Sequence, residues 1–290
     1  MKAGFVNIFG RPNAGKSTLL NALLGEKLAI VSPKVQTTRH RIKGFLTKPG
    51  EYQVIFSDTP GIIEAKYKLQ EKMMANVKSA LEDADVALLI ADAGDNLAEV
   101  DAIFQQLKLK VPCILVLNKI DHVSPGRVAE AETFFARKPY GRILVKISAL
   151  QQQHLDELMS KVISLLPEGD PFYNEDDLSD LPTKFFVSEM IREKVYHLFE
   201  DEIPYHTAVV VNEFKEKLTL VKIQADIIVQ RETQKAIIIG EKGKMIRQIG
   251  TMAREEIEQF LDRKVFLELF VKVRPKWRDN EVHLREYGYH

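Results

Sequence analysis

The segment GRPNAGKST at residues 10–18 constrains the fold more than any other part of the sequence. It fits the pattern G-x-x-x-x-G-K-[ST], follows the apolar run FVNIFG and precedes a stretch of helix-forming residues. A strand, a glycine-rich loop and a helix in this order can bind phosphate, because backbone N–H groups at the start of the helix point at the anion. The predicted phosphate-binding residues are Asn13, Ala14, Gly15, Lys16, Ser17 and Thr18.

Two side chains of this loop would carry chemistry. Lys16 is expected to reach the β- and γ-phosphate oxygens, and the Ser17 hydroxyl to ligate Mg²⁺. A glycine-rich turn with a solvated lysine is the alternative interpretation. The flanking strand and helix favour the phosphate site.

Short apolar runs alternate with helical patterns through the first half of the 290-residue chain. Runs so continuously apolar are typical of strands buried on both faces of a mostly parallel sheet, with helices in the crossovers. We therefore predict an α/β, doubly wound domain over residues 1–168. Its predicted strands lie at residues 5–10, 52–57, 86–92, 112–118 and 142–148.

Three further segments follow strands of this predicted sheet. Asp58, in DTPG, would reach Mg²⁺ through water, and the N–H of Gly61 would approach a γ-phosphate. In NKID, the carboxylate of Asp121 can accept two hydrogen bonds from guanine that adenine cannot supply. The base site is predicted at Asn118, Lys119 and Asp121, with Ser148, Ala149 and Leu150 of SAL near guanine O6.

The order of these four segments resembles that of the translation-factor-related GTPases, and the chain as a whole resembles the Era-type GTPases. The resemblance implies GTP and GDP as ligands, with Mg²⁺. It also identifies QTTRHR at residues 36–41 as the first switch, in which Thr38 would complete the Mg²⁺ shell. Thr37 is the second candidate for that role.

Ile62 stands where many GTPases place the glutamine that orients the attacking water. An aliphatic side chain can neither orient nor deprotonate water. The resemblance groups this chain with GTPases that have a hydrophobic residue here, several of which use K⁺ held in part by a P-loop asparagine. Asn13 occupies that position, and a K⁺-assisted site is our hypothesis. The alternative is that Asn13 only shapes the loop.

The second half of the chain has a different pattern. The stretch 169–182 is rich in proline and acidic residues and is predicted to be a linker. Residues 183–290 combine helical patterns with antiparallel-looking strands, which favours a small α+β domain. Within it, IIIGEKGKMIRQIG at residues 237–250 contains the pattern G-x-x-G in a locally basic stretch. Such a loop between two helices lets a nucleic-acid backbone approach closely.

This segment resembles the G-x-x-G loop of KH domains, and the end of the chain resembles the end of Era proteins. The implied fold is an α+β, type II KH domain that binds RNA. The residues alone would make TQKAIII a strand, and only the resemblance makes it a helix. Trp277 is expected to be a buried anchor for the tail. The predicted RNA-binding residues are Ile239, Gly240, Glu241, Lys242, Gly243, Lys244 and Arg247.

Composition sets the remaining expectations. Forty-one basic and forty-one acidic residues cancel, so affinity for nucleic acid must come from a local patch. One cysteine and no apolar run of spanning length favour a protein of the reducing cytoplasm, with peripheral membrane association left open. We also expect a monomer. The start of the chain has no transit-peptide pattern, which favours a bacterial source.

The Era resemblance implies a GTP-hydrolysing switch that binds 16S ribosomal RNA near its 3′ end and acts in assembly of the 30S subunit. Two other functions compete with it. One is an RNA-binding protein with a vestigial nucleotide site, which the presence of Lys16, Ser17, Asp58 and Asp121 disfavours. The other is a membrane-associated signalling GTPase whose second domain binds protein, which the basic loop around Lys242 disfavours.

Overall fold

The computed structural model describes residues 1–289, which form two compact units. The first comprises Met1–Ala65 and Met73–Asp180. The second comprises Lys66–Lys72 and the described part of Leu181–His290. The last residue of the predicted KH domain lies outside the described part of the chain.

A six-stranded sheet forms the centre of the first unit, in the order β2-β3-β1-β4-β5-β6. Every neighbouring pair is parallel except β2 and β3, which are antiparallel. The five predicted strands are β1 and β3 to β6, so the prediction of a doubly wound, mostly parallel sheet is confirmed. The strands are β1 (Lys2–Gly10), β2 (Ile42–Lys48), β3 (Tyr52–Asp58), β4 (Val86–Asp92), β5 (Cys113–Asn118) and β6 (Leu144–Lys146).

Strand β2 was not predicted. Its sequence IKGFLTK mixes lysines and a glycine with apolar residues, so it lacks the continuous apolar character that marked the others. It lies at the edge of the sheet, where Ile42 and Phe45 are buried and the lysines are not. An edge strand needs only partial burial, and this explains why its pattern is weak.

Five helices cover the sheet of the first unit. Side-chain caps fix where two of them begin: Asn96 accepts hydrogen bonds from backbone N–H groups of α3, and Ser124 does so for α4, which starts with Pro125. The helices are α1 (Lys16–Leu24), α2 (Lys68–Glu82), α3 (Leu97–Gln106), α4 (Pro125–Ala136) and α5 (Leu155–Leu165). The start of α2, up to Lys72, belongs to the second unit. Helix α1 follows β1 directly, which places its first turn at the carboxyl edge of the sheet.

The acidic segment after α5 packs against the edge of this sheet. The N–H of Phe45 donates to the carbonyl of Leu178 at 2.9 Å, and the Phe45 ring stacks on Tyr173 with 3.8 Å between centroids. The side-chain oxygen of Gln53 accepts hydrogen bonds from the N–H groups of Phe172 and Tyr173. A free edge strand invites pairing with other chains, and this segment covers it.

The second unit contains a three-stranded sheet in the order β7-β8-β9, with β7 (Ala208–Glu216), β8 (Val221–Val229) and β9 (Val265–Val273). Strands β7 and β8 are antiparallel, as expected, whereas β8 and β9 are parallel. The prediction of antiparallel strands was therefore wrong for β9. Two helices separate β8 from β9 in the chain, and such a crossover can return the strand in the same direction.

Five helices complete this unit: α6 (Thr183–Leu198), α7 (Ile203–His206), α8 (Glu232–Ile239), α9 (Lys244–Leu261) and α10 (Glu281–Glu286). The stretch TQKAIII lies in α8, so the strand indicated by the residues alone was wrong and the helix implied by the resemblance is confirmed. The short apolar run is ambiguous by itself, and packing of α8 against α9 decides its conformation. None of the helices within residues 1–289 combines the length and the apolar character that a membrane-spanning segment needs.

Trp277 anchors the C-terminal tail, as predicted. Its side chain is fully buried, its Nε1 donates to the carbonyl of His206 at 2.9 Å, and its ring contacts Tyr287 and Tyr289. The tail is thereby fastened to the turn that precedes β7.

We predict that Trp277→Ala destabilises the second unit by about 3–5 kcal/mol, since it removes a large buried ring and leaves a cavity. Trp277→Phe keeps most of the ring contact and should cost clearly less. Urea unfolding of the intact chain, followed by circular dichroism because Trp277 is the only tryptophan, measures both. Equal unfolding curves for wild type and Trp277→Ala would contradict the anchoring role.

Candidate functional site

The phosphate-binding loop joins β1 to α1 and depends on one glycine. Gly15 precedes α1 with φ of 99°, in the left-handed region. A Cβ atom at Gly15 would lie only 2.2 Å from Nδ2 of Asn118. That amide donates to the carbonyl of Ala14 at 2.9 Å, so Asn118 ties the end of β5 to the loop. The close approach explains why this position has no side chain.

Lys16 is buried at the first turn of α1. Its Nζ donates to the carbonyls of Gly10 at 3.1 Å and Arg11 at 2.8 Å, which curls the loop around the ammonium group. Burial lowers the pKa of Lys16 to about 8, and the charge of Asp58 offsets part of this shift. Phosphate oxygens beside the ammonium would favour its charged form and raise the pKa again.

Three oxygen atoms from separate segments converge beside Lys16. Oδ2 of Asp58 accepts a hydrogen bond from Ser17 Oγ at 2.6 Å and from Thr38 Oγ1 at 3.1 Å. The two hydroxyl oxygens lie 2.8 Å apart. We name these three groups the oxygen cluster. Thr37 takes another direction, since its Oγ1 donates to the carbonyl of Lys34, so Thr38 is the threonine that joins Ser17 and Asp58.

The oxygen cluster fits a magnesium ion. Within the described chain, Oδ1 of Asp58 is buried without a hydrogen-bond partner. Burial is the main cause that raises the pKa of Asp58, and hydrogen bonds from Ser17 and Thr38 oppose the shift. A divalent cation with its bound water would satisfy the unpaired oxygen and favour the ionised carboxylate. Hydroxyl and carboxylate oxygens are ligands that Mg²⁺ prefers.

The loop after β3 lies against the phosphate-binding loop. A Cβ atom at Gly61 would lie 2.7 Å from the backbone nitrogen of Pro12, so only glycine permits this contact. The next residue, Ile62, donates its N–H to the carbonyl of Gly10 at 3.2 Å. Its side chain packs against the apolar core around Phe9. Ile62 therefore contributes packing to the loop, and its side chain offers no polar group.

The predicted base-binding residues meet at the ends of β5 and β6. The hydrogen bond from Ser148 is the main cause that holds the pKa of Asp121 below its usual range, so this carboxylate is an ionised acceptor at neutral pH. The N–H of Ala149, which we expected at guanine O6, donates to Oδ1 of Asn118 at 3.0 Å. Lys119 adopts φ of 61° and its Nζ lies 2.7 Å from Oδ2 of Asp92.

These segments surround one cavity of about 640 Å³, a volume typical of small-molecule sites. Ala14, Asp58 and Ser148 do not line the cavity, and hydrogen bonds join Asp58 to Ser17 and Thr38, which do. The cavity also includes Asp92 and Pro33, which sequence reasoning missed; Asp92 ends a strand, and that position was the available signal. The predicted residues that line it are Asn13, Gly15, Lys16, Ser17, Thr18, Thr38, Gly61, Asn118, Lys119, Asp121, Ala149 and Leu150.

The G-x-x-G loop of the second unit joins α8 to α9. Gly240 and Gly243 both have positive φ, of 70° and 77°. A Cβ atom at Gly240 would clash with Met245, whereas one at Gly243 would meet nothing within 4 Å. The open space at Gly243 is where another backbone can approach. Lys242 is exposed between the two glycines.

Basic side chains surround this loop. Lys244 and Arg247 are exposed on the first turns of α9, and Glu241 is the acidic residue beside them. Ile239, named from the sequence, is half-buried against the core. Its neighbour Ile237 has 49% of its surface exposed and is an apolar contact that sequence reasoning missed. Its exposure depends on the phase of α8, which the residues alone did not indicate.

Comparison with known proteins identifies both units. A family model described as a 50S ribosome-binding GTPase matches residues 5–119, and a KH-domain model matches residues 202–278. GTPase Era of Geotalea uraniireducens is 46% identical over 291 aligned residues, which cover 99% of this chain and 98% of that protein. GTPase Era of a Thermoanaerobacter strain is 45% identical over 292 aligned residues, which cover 99% of this chain and 96% of that protein.

Two solved structures resemble the whole chain. One is a variant of Era from Aquifex aeolicus bound to GDP and aluminium fluoride, and the other is Era in complex with MgGDPNP and nucleotides 1506–1542 of 16S ribosomal RNA. Each is 43% identical with a TM-score of 0.96 and covers 100% of this chain and 99% of the matched chain. With an α/β nucleotide-binding unit, a KH unit and full-length identity of this level, the chain belongs to the Era family of GTPases.

Proposed function

We propose that this protein is a GTP-hydrolysing switch that binds 16S ribosomal RNA near its 3′ end through its KH domain and acts in assembly of the 30S subunit. The oxygen cluster of Ser17, Thr38 and Asp58 carries the proposal, because it brings the first switch to the Mg²⁺ site. A vestigial nucleotide site would have no reason to keep these three oxygens within hydrogen-bonding distance of one another. The Era structure with MgGDPNP and 16S RNA nucleotides supports the RNA partner.

In the proposed mechanism, the chain supplies charge and position. Lys16 and the backbone N–H groups of the loop hold the β- and γ-phosphates, and the N–H of Gly61 faces the γ-phosphate. When bound, Mg²⁺ neutralises charge that develops on the phosphate oxygens. Ser17, Thr38 and Asp58 would hold it, the last through water. Asp121 selects guanine.

In many other GTPases a glutamine at the position of Ile62 assists hydrolysis. In this chain another group must provide that assistance. Ile62 packs into the core and has no proton to exchange. We propose that Asn13 helps to hold a K⁺ ion beside the phosphates, where the ion would offset the developing negative charge. The Nδ2 of Asn13 donates to the carbonyl of Pro33 at 2.7 Å, which leaves its amide oxygen as the atom to bind the cation.

The RNA proposal rests on the G-x-x-G loop. Phosphate contacts from Lys242, Lys244 and Arg247 would position a single strand, and close approach at Gly243 would fix its backbone. The neutral total charge makes this local patch the source of affinity. We further propose that the protein acts as a monomer in the cytoplasm, with peripheral membrane association as an addition.

If GTP and RNA are coupled, the coupling must be reciprocal. RNA that prefers the GTP state must tighten GTP binding by the same factor as GTP tightens RNA binding. Equal RNA affinity in the GDP and GTP-analogue states would remove the switch from this proposal and leave two independent sites.

We predict that Thr38→Ala lowers affinity for a non-hydrolysable GTP analogue by roughly 10-fold or more while leaving GDP affinity nearly unchanged, because Thr38 serves only the Mg²⁺ shell of the GTP state. Thr37→Ala is the matched control and should have little effect. Fluorescent nucleotide titration at fixed Mg²⁺ measures both. The same loss in both variants would contradict the distinct role of Thr38.

We predict that GTP hydrolysis is faster in KCl than in NaCl at equal ionic strength, and that Asn13→Ala removes the difference. Steady-state phosphate release measures the rates. Identical wild-type rates in the two salts would reject the potassium ion and leave Asn13 with a role in loop shape alone.

We predict that the double variant Lys242→Glu, Lys244→Glu loses binding to the 3′ region of 16S RNA, because two phosphate contacts become repulsive. The double variant Lys215→Glu, Lys264→Glu is the control, since these exposed lysines lie at the end of β7 and before β9, away from the loop. Crosslinking in cells and sequencing of the bound RNA identify the partner. Reads unchanged by the first variant would mean that the G-x-x-G loop has only a structural role.

A further inference from the structure

Outside the nucleotide cavity, a hydrogen-bonded cluster forms around Arg41. Its guanidinium makes a two-pronged contact with Asp83, with Nη1 2.6 Å from Oδ2 and Nη2 2.8 Å from Oδ1. The Arg41 side chain is only 10% exposed. The Asp83 side chain is 42% exposed, so the contact is buried on the arginine side only. A planar, two-pronged contact of this kind fixes orientation as well as distance.

Two buried polar residues complete the cluster. Ser57 Oγ accepts from Nε and Nη2 of Arg41, at 3.1 and 2.9 Å. Nη2 also lies 3.3 Å from Oδ1 of Asn7, whose Nδ2 donates to Asp83 at 2.8 Å and to the carbonyl of Ala80 at 2.6 Å. We name Arg41, Asp83, Ser57 and Asn7 the Arg41 cluster.

The Arg41 cluster joins four segments: the chain just before β2, strand β1, strand β3 and the chain just after α2. Arg41 is three residues beyond Thr38, and Ser57 immediately precedes Asp58. Asp83 follows the end of α2, the helix that comes after the loop containing Gly61. None of the four residues lines the nucleotide cavity. The guanidinium therefore holds side chains of residues that are close in sequence to Thr38 and Asp58, and it does so from outside the cavity.

We propose that Arg41 is a positioning residue for Thr38, acting as the fixed end from which the first switch moves. The inference rests on the proposed GTPase function and deepens it. When Thr38 leaves the oxygen cluster, the chain moves only up to His40, because Arg41 stays bound to Ser57 and Asp83. If this fixed end is lost, the movement of the first switch extends into β2. The fraction of molecules with Thr38 at the Mg²⁺ site then falls.

A purely structural ion pair makes a different prediction. Its loss would lower the affinities for GDP and for the GTP analogue to the same extent, because destabilisation of the sheet does not depend on which nucleotide is bound. A positioning residue for Thr38 affects the GTP state alone. Affinity for the GTP analogue depends on the position of Thr38 and affinity for GDP does not, so only the analogue would bind more weakly. The comparison of GDP with a GTP analogue therefore separates the two roles.

The experiment measures affinity for GDP and for a non-hydrolysable GTP analogue, over a range of Mg²⁺ concentrations, in the full-length chain. Variants are Arg41→Ala, Arg41→Lys, Asp83→Asn and the double variant Arg41→Ala, Asp83→Asn. We expect Arg41→Ala to weaken the analogue roughly 10-fold, with GDP affinity unchanged and a higher Mg²⁺ requirement. Arg41→Lys should be intermediate, because an ammonium can reach Asp83 but cannot bridge to Ser57 and Asn7 as well.

Lys43→Ala is the matched control. Lys43 lies two residues beyond Arg41, on the edge strand β2, and also forms an ion pair, of 2.9 Å, but its partner Asp180 belongs to the segment that covers the sheet edge. It should leave both affinities unchanged. The double variant should weaken the analogue no more than Arg41→Ala alone, because the two residues act through one contact.

Two results would overturn the inference. Equal losses of GDP and analogue affinity in Arg41→Ala and Asp83→Asn, with a lowered melting temperature, would make the cluster structural. Unchanged analogue affinity in both variants would show that Thr38 is positioned without them. A wild-type chain that neither binds nor hydrolyses GTP would instead reject the proposed function, which is a separate failure.

Discussion

The site depends on one buried carboxylate. Asp58 lies at the end of strand β3, fully removed from water, with one oxygen held by two hydroxyls and the other unpaired. Burial of an unpaired carboxylate oxygen is costly, so the arrangement is stable only if a cation or a proton satisfies it. A bound Mg²⁺ would compensate the unpaired carboxylate oxygen of Asp58. The fold also places two hydroxyl groups where they could act as ligands of that ion.

The parallel sheet explains why segments distant in sequence meet at Asp58. In such a sheet the carboxyl ends of all strands lie at one edge, so loops after β1, β3, β5 and β6 converge there. This is why sequence motifs could be assigned to one candidate nucleotide site: each motif directly follows an apolar strand. The inner strands were equally predictable, because both of their faces are buried and their sequences are therefore continuously apolar.

The elements that sequence reasoning missed share a physical cause. Strand β2 and helix α8 both owe their conformation to the neighbouring elements that they pack against, and not to their own residue patterns. Strand β2 pairs with β3 at an edge, and α8 packs on α9 although its triple isoleucine is favourable for a strand. The use of the Ala149 N–H by Asn118 was also unpredictable, since it depends on the distance between β5 and β6 at their ends. The residue pattern of a single segment carries no information on its distance from another segment in the folded chain.

The replacement of glutamine by Ile62 is consistent with the rest of this architecture. An aliphatic residue strengthens the packing of the loop after β3, whose N–H groups must be held near the γ-phosphate. A glutamine orients water directly, but it is a flexible polar side chain that adds no apolar contact to that loop. In this chain the loop is held by packing and by close approach to Pro12. In the mechanism that we propose, the electrostatic part of catalysis falls to ions and to the residues that place them. Under that proposal, accurate placement of the first switch would matter more than acid–base chemistry, and the position of Thr38 would be the variable through which hydrolysis is controlled.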